Sequence, residues 1–234
     1  MPILLSIETA TESCSVALSD GSQVLAIRES AGANEHSSLL TVYIEELLKE
    51  TGLQLSETDA VAVSMGPGSY TGLRIGVSVA KGLCYSLGKP MIAVDTLKAM
   101  AWQASRVFPG LSGTEILLCP MIDARRMEVY TAMYDQQFNT VLPVDAVIVD
   151  TETFLPFEGK TLALFGSGAE KCRELLSGST NLIFPGILLP SAAAVASLAA
   201  EKFQLSEFVN TAYFEPFYLK DFIAGKPSVK GLRS

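Results

Sequence analysis

Histidine is almost missing: the 234-residue chain holds one, His36. Hydrolytic zinc centres use two or three imidazoles, and a serine or cysteine nucleophile needs one beside it. A single histidine largely excludes both chemistries. Cysteine is sparse as well. Cys14, Cys84, Cys119 and Cys172 are scattered with no CxxC pair, so they read as reduced, buried thiols of a cytoplasmic protein. Positive charge is short: 17 Lys and Arg stand against 25 Asp and Glu, a net charge of −8. No basic stripe offers the clustered cations that counterion release on a nucleic acid requires. The longest uncharged stretch, 177–200, is broken by Pro185, Gly186, Pro190 and several serines, which makes it a poor membrane span. Residues 1–8 carry no basic region and reach Glu8 after a short apolar run, so a strand is expected there and not a signal peptide.

What the chain has is core material. Apolar residues make up 49% and charged residues 18%, enough for one large domain or two small ones. Strands are predicted at 3–9, 15–18 and 24–27, separated by turns at 10–14 and Gly21. A helix is predicted at 37–50, capped by Ser37 or Ser38, striped by Leu39, Leu40, Tyr43, Ile44, Leu47 and Leu48, and stopped at Gly52. The apolar run 60–64 reads as a buried parallel strand and leads into a glycine-rich segment and a helix ending at Gly88. A strand at 91–94 and a helix at 97–106 follow. The second half repeats this order, with strands at 116–122, 128–134, 144–149, 162–165 and 181–184 and helices after Gly168 and at 192–203; only its middle helix is weakly signalled. Each half therefore predicts βββαβαβα. The expectation is an α/β chain of two tandem actin-like (RNase H-like) domains, mixed sheets flanked by helices, the plan of the actin, Hsp70 and sugar-kinase superfamily. They would span 1–108 and 109–224, with a hinge near 108–110 and a flexible tail at 225–234.

The stretch Ser64-Met65-Gly66-Pro67-Gly68-Ser69-Tyr70-Thr71-Gly72-Leu73-Arg74-Ile75-Gly76 closely resembles the signature of the bacterial TsaB (YeaZ) family. Further matches run in order: Ile7-Glu8-Thr9-Ala10-Thr11, Glu35-His36-Ser37-Ser38-Leu39-Leu40, Asp123-Ala124-Arg125-Arg126-Met127-Glu128-Val129-Tyr130, Gly166-Ser167-Gly168, and Pro216-Phe217-Tyr218-Leu219-Lys220. The resemblance implies a non-catalytic scaffold with the duplicated actin-like fold and no cofactor of its own. Its partner would be a TsaD-type catalytic subunit, which moves a threonylcarbamoyl group onto adenosine next to the tRNA anticodon. A TsaE-type ATPase would join them, and tRNA would be met only through the complex. In relatives the first two helices form the face used for TsaD or for a homodimer. Carried onto this chain, that face comprises His36, Leu40, Tyr43, Leu47, Tyr70, Thr71, Gly72, Arg74, Ile75, Gly76, Val79, Ala80 and Leu83.

The glycine-rich segment has a second reading, a phosphate cradle at a helix N-terminus. It lacks the GxxxxGK[ST] lysine and GxGxxG spacing, which disfavours that reading. Gly72, Gly76 and Ala80 recur every four residues, so another backbone should approach that helix face closely, either within the fold or from a partner; the partner is the expectation taken forward. Glu8, Thr9, Asp123, Arg125, Arg126, Gly166 and Gly168 fall where this superfamily places its nucleotide cleft. The turns after Glu8 and Asp123 contain no glycine, so these residues are read as vestigial. The lone GxG at 166–168 suits a plain strand-to-helix turn, and His36 a cap or interface rather than a metal ligand. Seven aromatics between 203 and 222 should close the chain over a domain. The rival reading is a free-standing ATPase or small-molecule kinase of the same fold.

Overall fold

Short apolar runs bounded by turns form the strands, and the computed structural model, which describes residues 1–31, 36–111 and 115–219, places ten of them in two sheets. Glu35, Lys220, Phe222 and the tail expected at 225–234 lie outside the described residues. The first sheet contains β1 (Ile3–Glu8), β2 (Ser13–Asp20), β3 (Gln23–Ala31), β4 (Ala60–Ser64) and β5 (Met91–Val94), in the order β3-β2-β1-β4-β5. The second contains β6 (Ile116–Asp123), β7 (Glu128–Tyr134), β8 (Thr140–Ile148), β9 (Thr161–Phe165) and β10 (Leu182–Ile183), in the order β10-β9-β6-β7-β8. In both, the central strand pairs antiparallel with the second and parallel with the fourth. The duplicated mixed-sheet plan read from the sequence is present.

Among the described residues five helices flank the sheets: α1 (His36–Thr51), α2 (Tyr70–Leu87), α3 (Thr96–Val107), α4 (Ser167–Cys172) and α5 (Ala192–Gln204). The first helix position of the second half, between β8 and β9, is a single 3-10 turn, Leu155–Phe157, beside which buried Phe154 fills the core, and the weakly signalled middle helix is the six-residue α4. Strand β8 begins four residues before the predicted 144–149. It is a half-exposed edge strand carrying Pro143, so only part of it shows apolar alternation.

Leu5, Ile7, Val16, Val61 and Val63 project from one face of the first sheet onto Leu40, Ile44 and Leu47 of α1 and Val77 and Ala80 of α2. Each fully buried aliphatic side chain there contributes about 1.5–3 kcal/mol. The opposite face meets α5, whose Ala194, Val195, Leu198 and Ala199 pack on Leu4, Ala60, Ala62, Ile92 and Val94. Helix α3 lies on the second sheet, with Leu97, Met100, Ala101 and Ala104 against Leu118, Ile122, Ala163 and Phe165. The last helix of each half therefore covers the other half's sheet. Alanine at so many α5 positions lets that helix lie close to the strands. After α5 the chain closes over the first sheet. Val209 bridges to Met91, Phe214 packs on the first core, and the Phe217 N–H donates to the Met65 carbonyl at 2.7 Å.

The glycine stripe of α2 turns inward, which corrects the expectation that Gly72, Gly76 and Ala80 face a partner. A Cβ at Gly72 would fall on the Thr9 carbonyl oxygen, one at Gly76 on Thr9 Oγ1, and Ala80 is fully buried. The backbone that needed a close approach is the chain's own β1–β2 turn. Gly82, on the same helix, faces open space. Gly76→Ala should therefore cost about 1–3 kcal/mol of unfolding free energy by overpacking, while Gly82→Ala should gain up to about 1 kcal/mol from helix propensity. Urea denaturation measures both, and equal effects would mean that α2 does not press on Thr9.

Candidate functional site

The first two helices leave a groove between them. It holds about 570 Å³ and is lined by Ser37, Tyr70, Thr71, Arg74, Ile75, Ser78 and Val79. The helical period explains this lining. With Gly72, Leu73, Gly76, Val77, Ala80 and Cys84 turned to the core, positions 71, 74, 75, 78 and 79 are left on the outer side. Thr71, Arg74 and Ser78 are exposed, and Ile75, Val79 and Leu83 are half-buried. On α1, Tyr43 is half-buried and Val42 exposed.

Of the thirteen face residues expected from the sequence, Tyr43, Tyr70, Thr71, Arg74, Ile75, Val79 and Leu83 retain an outward part. His36, Leu40, Leu47, Gly72, Gly76 and Ala80 are buried in the chain's own core and are withdrawn from that face. The periodicity identified contact stripes without telling which side of each helix met the sheet. The sequence reading missed Ser37 and Ser78 as groove residues, and Lys81 and Tyr218 as their neighbours. The outward position of Ser78, one turn beyond Arg74, was the available signal.

An aromatic and cationic cluster fixes one end of the groove. The Arg74 guanidinium lies 4.0 Å from the Tyr70 ring centroid, and its Nε donates to the Tyr218 hydroxyl at 3.3 Å. The Tyr70 and Tyr218 rings are 4.9 Å apart, centroid to centroid. The C-terminal segment and the signature helix thus hold each other.

Behind the groove, the β1–β2 turn is held by contacts within the chain. The Ser69 N–H donates to the Ala10 carbonyl at 2.6 Å, Thr9 Oγ1 to the Gly72 carbonyl at 2.9 Å, and the His36 Nε2–H to the Thr11 carbonyl at 2.8 Å. A Cβ at Gly68 would fall on the Ala10 carbonyl oxygen. The glycine-rich segment is therefore shaped around this turn, with the Ala10 carbonyl and the Thr9 hydroxyl both bonded to it. His36 opens α1 and holds the same turn.

Glu8 ends β1 fully buried, its Oε1 accepting from the Ala10 N–H at 2.5 Å. Its counterpart Asp123 ends β6 exposed, and its Oδ1 accepts from Lys171 Nζ at 2.5 Å and the Arg125 N–H at 2.7 Å. Arg125 and Arg126 are exposed and adopt left-handed backbone, φ 70° and 51°. A Cβ at Gly166 would lie 2.5 Å from the Met121 carbonyl oxygen, and one at Gly168 2.9 Å from Val129, so the GxG turn is pressed onto β6 and β7. All four cysteines are buried and free, and burial pushes Cys14 and Cys84 up to about 11. Among the described residues no group of three or more His, Cys, Asp or Glu gathers in metal-binding reach, and no helix is long and apolar enough to cross a membrane.

Comparison with known proteins places this geometry among relatives. The family profile described as TsaD, tRNA N6-adenosine threonylcarbamoyltransferase, matches residues 29–224. The tRNA threonylcarbamoyladenosine biosynthesis protein TsaB of Escherichia coli (strain K12) is 34% identical over 230 residues, covering 95% of this chain and 96% of that protein. The solved structure of YeaZ from Pseudomonas aeruginosa superposes with a TM-score of 0.78 at 32% identity, covering 94% of this chain and all of the other. Component A of the Acidaminococcus fermentans (R)-2-hydroxyglutaryl-CoA dehydratase matches with a TM-score of 0.50 at 10% identity, a likeness of fold alone.

Burial of Glu8 carries a pH dependence. Loss of water around the carboxyl raises it from the ordinary 4.5 to about 7, against the opposing pull of the Ala10 N–H. Between those values the folded chain keeps a proton that the unfolded chain has released, so stability falls as pH rises from 4.5 to about 7 and this contribution is constant above. The penalty approaches roughly 3 kcal/mol at the alkaline end. Glu8→Gln keeps an acceptor for Ala10 and cannot ionise. Denaturant titrations at pH 5 and pH 8 should show the wild type losing stability relative to this variant; parallel pH profiles would mean that Glu8 is solvated.

Proposed function

Because the chain belongs to the bacterial TsaB (YeaZ) family, we propose that it serves tRNA threonylcarbamoyladenosine biosynthesis as a non-catalytic scaffold, docking a TsaD-type catalytic subunit on the α1/α2 groove. One observation carries the reading: the family's signature segment spends its glycines on seating α2 against the chain's own turn, and the side chains left over form an open, mainly apolar groove. A half-exposed Ile75 and Val79 flanked by Tyr70 suit burial against another protein's helix, since aromatic and aliphatic anchors within a polar rim dominate such interfaces. The same groove would serve a homodimer, in competition with the catalytic subunit.

The cleft residues support the non-catalytic half of the proposal. A phosphate-binding turn needs free backbone N–H groups and room for close approach. The Ser69 N–H, the Thr9 hydroxyl and the Ala10 carbonyl are already committed to one another's segments, and the Glu8 carboxyl is sealed from solvent. Peptide hydrolysis by an imidazole-assisted nucleophile has only His36 to draw on, and its Nε2 is engaged with Thr11. With a net charge of −8, tRNA would be gripped by the partner, and a TsaE-type ATPase would complete the assembly.

Co-purification with the cognate TsaD-type and TsaE-type proteins, followed by a tRNA modification assay omitting each component, tests the whole reading. Modification should require this chain, and the chain alone should neither hydrolyse ATP nor bind tRNA at physiological salt. Thr71→Arg, on an exposed groove residue, should leave the fold intact and weaken association with the TsaD-type protein at least tenfold. Unchanged association would remove the α1/α2 groove as the docking site.

A further inference from the structure

Two cations on the outer side of α2, Arg74 and Lys81, lie seven residues apart, about 10 Å along the helix axis. Among the described residues neither forms an ion pair, although Glu215 lines the groove beside them and its charge acts on Arg74 through space. Both are steered by uncharged groups of the C-terminal segment. Lys81 Nζ donates to the carbonyls of Ala212 at 3.3 Å and Phe214 at 3.1 Å, while Arg74 is held by the Tyr70 ring and the Tyr218 hydroxyl. Between α2 and that segment runs a second groove of about 280 Å³, lined by both cations, Val77, Ser78, Tyr218 and Glu215, among others. Among the described residues, most of the guanidinium's five N–H donors and one of the ammonium's three therefore meet no acceptor.

The second groove shares Arg74 and Ser78 with the first, so the two are continuous across α2. A protein seated in the first groove reaches these cations as it crosses the helix. Covering an unpaired cation costs free energy unless an anion meets it, and charge-assisted hydrogen bonds to a carboxylate are the strongest compensation a protein surface offers. We propose that the docking surface extends over α2 onto the C-terminal segment, and that the partner occupying the first groove places a carboxylate-bearing segment against Arg74 and Lys81. This rests on the docking reading above and adds the chemistry that the partner must bring. The C-terminal segment then does more than close the first core: it aims both cations and forms the far wall of the acid-binding groove.

Ser78 offers a clean test, because it is exposed and lines both grooves. Ser78→Gln and Ser78→Glu add nearly the same volume and differ in charge. Calorimetric titration of the cognate TsaD-type protein into full-length chain at two salt concentrations should find Ser78→Glu at least tenfold weaker than Ser78→Gln, with the gap narrowing at high salt. Lys81→Met should weaken binding about fivefold and flatten its salt dependence. If the Gln and Glu variants bind alike at both salt concentrations, no carboxylate enters this groove and the proposal fails. Thr71→Arg separates the two failures. Docking on α1/α2 stands if that variant loses binding and falls if it binds normally. If Ser78→Glu spares partner affinity but weakens tRNA binding by the assembled complex, the cations take phosphodiesters and the assignment to a protein carboxylate is wrong.

Discussion

The structure turns on the close approach of α2 to the β1–β2 turn. Gly68, Gly72 and Gly76 remove the three methyl groups that would keep this helix from Thr9 and Ala10, and three hydrogen bonds from α1, the α2 cap and Thr9 fill the space gained. A typical hydrogen bond of this kind contributes about 0.5–1.5 kcal/mol net, offset in part by interior glycine, which costs roughly 1 kcal/mol each in helix propensity. The arrangement is therefore bought with local stability, and what it fixes is the rotation of α2. That rotation determines which residues face the core and which face outward.

The same contact joins the groove to the cleft side of the first sheet. Glu8, Thr9, Ala10 and Thr11 are consecutive, and each is bonded within the turn or to the start of α1 or α2. In a nucleotide-binding member of this fold such a turn would keep its backbone open to phosphate. In this chain the helix that carries the proposed docking face is seated against it.

The sequence made the sheets legible because their signals are local. Buried parallel strands such as 60–64 are uninterrupted apolar runs; Ser69, Asp95 and Ser191 cap α2, α3 and α5, whereas Ser37 and Ser38, expected to cap the first helix, lie inside it. The edge strand β8 was read short because exposure on both faces erases alternation. The direction of the glycine stripe was illegible for another reason. An i, i+4 row of small residues records that a backbone comes close, and a sequence does not say whose. His36, Leu40 and Leu47 were misplaced by the same ambiguity, whereas Thr71, Arg74, Ile75 and Val79 lay on the remaining arc of the helix. The crossing of α3 and α5 onto each other's sheets left no local trace, since both helices are simply apolar.

The inner arc of α2 is committed to the chain's own turn, and in the proposed function its outer arc meets another protein. Amide hydrogen exchange, measured on the free chain and on the chain saturated with its TsaD-type partner, addresses this most directly. Exchange should slow across residues 70–83 and 212–218 in the complex, with β7 and β8 unchanged. Slowed exchange confined to the second sheet, with α2 unaffected, would contradict docking on its outer arc.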